Sequence, residues 1–95
     1  MSIAQQQGGT VDDIKNALRR FILDQYLPGE SESNLQDQTP LRTSGILDSM
    51  ATLALVNFVE REYNIELEAH ETGIEHFDTI GDIANLVSRK RKGAA

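Results

Sequence analysis

The chain has 95 residues, with 9 Lys and Arg against 15 Asp and Glu, for a formal net charge of −6. That length suits one small domain and excludes a multi-domain enzyme; a domain of this size buries only roughly 60 to 68% of its unfolded surface, which leaves little material for a deep catalytic pocket. The absence of cysteine removes disulfides, thiolate nucleophiles and Cys-ligated zinc, so stability has to come from packing.

Residues 1–9 are rich in Gln and Gly and have nothing to bury, which predicts a disordered leader. No run approaches the ~18 apolar residues of a membrane span, and the polar start lacks the charged and apolar regions of a secretion signal. The expected setting is therefore the cytoplasm, away from membranes. Thr10-Val11-Asp12-Asp13 fits a capping box with aspartate in place of glutamate, and Val11, Ile14, Leu18, Phe21 and Ile22 follow at helical spacing to about Tyr26. Leu27-Pro28-Gly29 stops this first helix.

Residues 28–47 form a connection far longer than the usual median of about 4 to 6 residues. It is rich in Gly, Ser, Asn, Asp, Gln and Pro, yet Leu35, Leu41, Ile46 and Leu47 recur in it. That pattern predicts a loop pinned to the core by single apolar side chains.

A second helix is predicted over residues 49–63, opened by Asp48 or Ser49 as N-cap and closed near Asn64. At about 100° per residue, Ala51, Leu55, Val56, Phe58, Val59 and Tyr63 fall on the half that can face a core. The other half holds Ser49, Met50, Leu53, Ala54, Asn57, Glu60 and Arg61. Met50 and Leu53 are then candidate partner contacts; the competing reading is that they widen the buried stripe.

Residues 65–74 carry mixed signals, compatible with a short strand-like segment or a short third helix ending near Phe77. The last helix is clearer: Asp78 or Thr79 as cap, Thr79-Ile80-Gly81-Asp82 as another box, and Ile80, Ile83, Ala84 and Val87 at i, i+3, i+4 and i+7. Three main helices, one short one and a long first loop predict an all-α fold, a small four-helix bundle. It occupies residues 10–91, with residues 92–95 as a disordered tail.

The charge is uneven. Arg89, Lys90, Arg91 and Lys92 carry four of the nine positive charges, leaving five against fifteen acids, a net −10, in residues 1–88. Such a field repels phosphate backbones, which argues against nucleic acid as a partner and for basic protein surfaces. The basic run itself suits the negative pole of the last helix.

The chemistry is narrowed by elimination. Ser49 is flanked by Asp48 and Met50, without the Gly-x-Ser-x-Gly elbow or a positioned histidine base of a hydrolase. His70 and His76 are six residues apart rather than four, so His70-Glu71 does not begin a zinc-binding helix face. Glu66, Glu68, Glu71, Glu75 and Asp78 lack calcium-loop spacing. Neither a metal site nor a catalytic residue is expected. What remains is a surface hydroxyl at the positive end of a helix, where backbone N–H groups and the dipole favour a phosphate. The bland alternative is that Ser49 only caps.

At this point a resemblance becomes specific. Gly45-Ile46-Leu47-Asp48-Ser49-Met50, after a long loop and before an apolar helix, resembles the phosphopantetheine attachment motif of acyl and peptidyl carrier proteins. The likeness extends over residues 11–88, through Thr39-Pro40-Leu41, residues 58–65 and Phe77-Asp78-Thr79-Ile80. It implies an acyl-carrier-like bundle in which a phosphopantetheinyl transferase attaches 4′-phosphopantetheine from coenzyme A to Ser49, beside the motif acid Asp48. The arm's thiol then holds an acyl or aminoacyl group as a thioester. Met50, Leu53, Asn57 and Glu60 are the implied docking positions.

Fatty-acid carriers have a single residue between the motif Gly and Asp, and acids early in the second helix. Here Ile46-Leu47 separate Gly45 from Asp48, and Ala51 and Ala54 take the acidic positions. The form is more similar to stand-alone aminoacyl carriers, such as prolyl or pyrrolyl carriers and the D-alanyl carrier of cell-wall tailoring. The implied protein is a non-catalytic, monomeric carrier in nonribosomal peptide or polyketide-type metabolism. It is loaded by an adenylation enzyme or an acyl or aminoacyl ligase and relieved by tailoring or condensing enzymes. The alternatives are a D-alanyl or primary-metabolism acyl carrier, or, from another class, a small helical interaction module without cofactor.

Overall fold

The fold begins at Thr10, whose Oγ1 accepts the N–H of Asp13 at 3.0 Å and so satisfies one of the donors that a helix start leaves without a partner. This computed structural model describes residues 10–31 and 34–94, with side chains through Arg91; the expected leader, residues 1–9, lies outside them. Helix α1 spans Val11–Tyr26 and buries Ile14, Leu18, Ile22 and Leu23 on one face. Helix α2 spans Ser49–Tyr63 and ends at Asn64, which adopts the left-handed conformation at φ 54°, one that asparagine tolerates better than most residues.

After α2 come a 3-10 helix, Ala69–Thr72, and a single-turn α3, Ile74–Phe77. The short third helix expected to end near Phe77 is α3, with a 3-10 turn before it, and the strand-like alternative does not occur: no strand is found among the described residues. A strand here would need ladder partners for its backbone N–H groups, but Glu60 takes two of them. Ile65 N–H donates to the Glu60 carbonyl at 3.1 Å and Leu67 N–H to Glu60 Oε2 at 2.9 Å. A single residue of α2 thus takes the place of a ladder.

Helix α4, Ile80–Ala94, starts where Thr79 Oγ1 accepts the N–H of Asp82 at 3.0 Å. Of the two residues that could have capped it, Thr79 does so. It continues to Ala94, taking in residues 92–94 of the expected tail. Ile80, Ile83, Ala84, Leu86 and Val87 of α4 are buried, chiefly along α1. Phe21 of α1 stacks on Phe58 of α2 with ring centroids 4.3 Å apart. The result is an all-α bundle of four helices with a long loop between α1 and α2.

That loop is held as its leucines predict. Leu35, Leu41 and Leu47 are buried in the common core, while Ile46 is half-buried against it. Polar clamps reinforce the anchors: Arg19 Nε donates to the Leu35 carbonyl at 2.8 Å, Asp37 pairs with Arg19 and with Lys15 Nζ (3.0 Å), and Gly81 N–H donates to the Asp37 carbonyl at 3.0 Å. Leu47 N–H donates to the Leu41 carbonyl at 2.8 Å, closing residues 41–47 into a turn that delivers Asp48 to the start of α2.

Candidate functional site

The chain enters α2 extended at Asp48, with φ −86° and ψ −171°, and Asp48 Oδ1 accepts the N–H of Ala51 at 2.8 Å. Asp48 is therefore the N-cap. Its carbonyl accepts both the N–H and the hydroxyl of Thr52, each at 2.8 Å, which satisfies the one buried polar side chain of α2. Ser49, the first helical residue, is exposed and is left out of the cap.

Around Ser49 most of α2 divides as the wheel predicts, although Ala54 and Glu60 of the outer half are half-buried and Thr52, assigned to neither half, is buried. Ala51, Leu55 and Val59 are buried, Val56, Phe58 and Tyr63 are half-buried, and Met50 and Leu53 stay 77% and 57% exposed. Asn57 is exposed too. Glu60, grouped with the docking positions, is half-buried and its carboxylate accepts from Leu67 N–H, so its visible task is to hold the chain that follows α2. A further large exposed apolar side chain, Ile74 of α3, is 52% exposed. Sequence reading missed it because one helical turn is too short to carry a periodicity that assigns faces.

Beside Ser49 lies an open groove of about 420 Å³, lined by Tyr26, Gly45, Ile46, Asp48, Met50, Ala51 and Ala54. Gly45 sits there at φ +90°, a conformation that side chains with a Cβ rarely adopt. Tyr26 is half-buried and packs edge-on against Phe21 at 6.3 Å.

The electrostatics behind the site hold the loop in place. Asp78 Oδ1 accepts the N–H groups of Arg42 (2.7 Å) and Thr43 (3.1 Å), and Oδ2 accepts the Thr43 hydroxyl at 3.0 Å. Burial pushes the Asp78 carboxyl up, but these donors outweigh it and hold its pKa below the ordinary value. The Lys15 ammonium does the same for Asp37, and the Glu68 N–H, then Lys90, for Glu71. Lys90 Nζ lies 3.0 Å from Glu71 Oε1, and Arg91 stands over the Tyr63 ring at 5.5 Å. Two of the basic residues at the end of α4 thus turn inward rather than into solvent. Glu71 and Asp78, two of the clustered acids, are likewise engaged; among the described residues no group of three or more His, Asp or Glu is placed to hold a metal ion. Among those residues, too, no helix is long and apolar enough to cross a membrane.

The residues present suit a phosphate ester. The Ser49 hydroxyl is open to solvent, α2 has no acid in its first turn, and the neighbouring Asp48 carboxylate is turned onto Ala51 N–H. Early N–H groups of a 15-residue helix favour an anion there.

Comparison with known proteins agrees with this architecture. The chain is 33% identical over 76 residues to the probable acyl carrier protein PigG of Serratia sp. (strain ATCC 39006), a match covering 80% of this chain and 86% of the relative. No protein-family model matches the chain. With an all-helical bundle, a long pinned loop leading into Asp48-Ser49, and a match that runs through most of both sequences, the chain belongs to the acyl carrier protein family.

Proposed function

We propose that the chain, a carrier and not an enzyme, holds 4′-phosphopantetheine on Ser49 and presents an acyl or aminoacyl group as a thioester to partner enzymes. The observation that carries this reading is the division of roles at the start of α2: Asp48 caps the helix, so the exposed Ser49 hydroxyl has no part in the cap. The group, when bound, supplies the thiol that a cysteine-free chain lacks. Helix α2 contributes N–H groups and dipole toward the phosphate. Met50, Leu53 and Asn57, exposed on the same helix, form the docking face for a phosphopantetheinyl transferase, a loading adenylation enzyme or ligase, and tailoring or condensing enzymes. A tethered arm raises the local concentration of its cargo at each enzyme that docks.

The pathway proposed is of the nonribosomal peptide or polyketide type, in the cytoplasm, with residues 10–91 acting as a monomeric carrier domain. The two-residue spacing Ile46-Leu47 and the alanines at 51 and 54 support that type over a fatty-acid carrier. Incubation with coenzyme A and a broad-specificity transferase, read by intact mass, tests the attachment. One phosphopantetheine adduct is expected on the folded protein and none on Ser49→Ala. An unmodified folded wild-type chain would overturn the reading in favour of an interaction module without cofactor.

A further inference from the structure

We propose that Arg61, at the far end of the exposed stripe of α2, selects a loading enzyme whose docking surface carries a carboxylate opposite it. The inference rests on the attachment reading above and adds the chemistry of the partner. At about 100° per residue, Met50, Leu53, Asn57 and Arg61 lie within about 80° of one another, and all four are exposed. A rise of about 1.5 Å per residue puts Arg61 roughly 18 Å along the axis from Ser49. The stripe thus presents two apolar side chains near the attachment point, an amide in the middle and a guanidinium at the end. Met and Arg are residue types enriched where proteins meet.

Two observations set the sign of the partner's charge. The first is that the Arg61 guanidinium makes no ion pair or hydrogen bond among the described residues. Its helical neighbours three and four positions away, Asn57, Phe58, Asn64 and Ile65, include no acid. By contrast, Lys15, Arg19 and Lys90 are paired with carboxylates, and Arg42 donates to the Thr72 carbonyl. The second is that the stripe contains no acid. Residues 49–59 have none, and Glu60, at its border, is half-buried with its carboxylate on Leu67 N–H. Glu62 lies about 100° round the helix from Arg61. The net −6 of the chain therefore draws basic surfaces at long range, while the contact stripe itself is positive. A carboxylate opposite Arg61 can accept two parallel N–H bonds from the guanidinium, whereas a basic residue there would set like charges together.

The test uses the full chain carrying phosphopantetheine from coenzyme A and the acylating or aminoacylating enzyme purified from the same cells, with transfer read by intact mass over a range of carrier concentrations. Arg61→Glu should raise KM for the carrier by about tenfold or more with kcat unchanged, Arg61→Gln severalfold, and Arg61→Lys little. Added salt should raise KM for wild type and leave Arg61→Gln nearly flat. With Arg61→Lys, a carbodiimide should join the introduced amine to the enzyme as an amide, and peptide masses then locate the carboxylate. A lower KM for Arg61→Glu would mean a basic docking surface and overturn the proposal. So would an unchanged KM with only a lower melting temperature, the signature of a residue that merely offsets the C-terminal dipole of α2. Either result leaves the attachment standing; absence of the phosphopantetheine adduct would overturn both.

Discussion

Asp48 and Ser49 are neighbours with opposite relations to the helix they begin. Either residue type can cap, so the sequence leaves the choice open; the extended backbone at Asp48 decides it by bringing its carboxylate to the N–H three residues on. Asp48→Ala should therefore cost about 0.5 to 2 kcal/mol in urea denaturation. Ser49→Ala, which removes no cap, should stay within about 0.5 kcal/mol of wild type. An equal loss in both variants would mean that the serine hydroxyl shares the cap. Met50 and Leu53 behave as surface residues of the same helix. Met50→Glu and Leu53→Glu should keep helicity and melting temperature, since they disturb nothing buried, while slowing loading by a cognate ligase. By contrast, truncating the fully buried Leu55 to alanine should cost about 2 to 5 kcal/mol.

The long loop between α1 and α2 is the element that sets where Ser49 stands. Its leucine anchors were legible as isolated apolar residues in a polar stretch. Its polar clamp was not: Asp78 stands 35 residues beyond Thr43, and local sequence carries no trace of a pairing at that distance. Sequence reading offered Asp78 as a possible cap of α4; Thr79 caps instead, and the Asp78 carboxylate is turned onto Arg42 and Thr43. Asp78→Ala strands those two N–H groups and should cost about 1 to 3 kcal/mol. Hydrogen exchange should quicken at Arg42 and Thr43 before it does at Leu18 or Ile22 in α1.

At the scale of the whole molecule, three carboxylates close the bundle across long sequence distances. Asp37 joins the loop to α1, Glu71 joins the 3-10 helix to α4, and Asp78 joins the start of α4 to the loop. All three have folded pKa values below the ordinary ones. A carboxylate of that kind binds fewer protons folded than unfolded. Its stabilisation is complete above the unfolded value of about 3.9 to 4.3 and is lost as pH falls through the folded value. Melting temperature should accordingly be flat from pH 7 to about pH 5 and fall below that, and Asp78→Ala should show a shallower acid decline than wild type. The basic end of α4 takes part as well, through Lys90 on Glu71 and Arg91 over Tyr63, so the +4 run beside a −10 body is partly an internal match.

The sequence by itself determined the three long helices, the bounds of α2, most of the buried and exposed halves of that helix, and the single serine at its start. These follow from periodicity and capping chemistry, which act over one or two turns and are written in consecutive residues. Tertiary structure alone decided that Asp48 rather than Ser49 caps, that Glu60 faces inward to Leu67, that Ile74 faces outward, and that a groove opens beside the serine. Each depends on which distant backbone or side chain arrives within a few ångströms, and a linear pattern does not encode that distance. Chain length leaves little material for a deep pocket; tertiary structure sets one exposed hydroxyl beside an open groove.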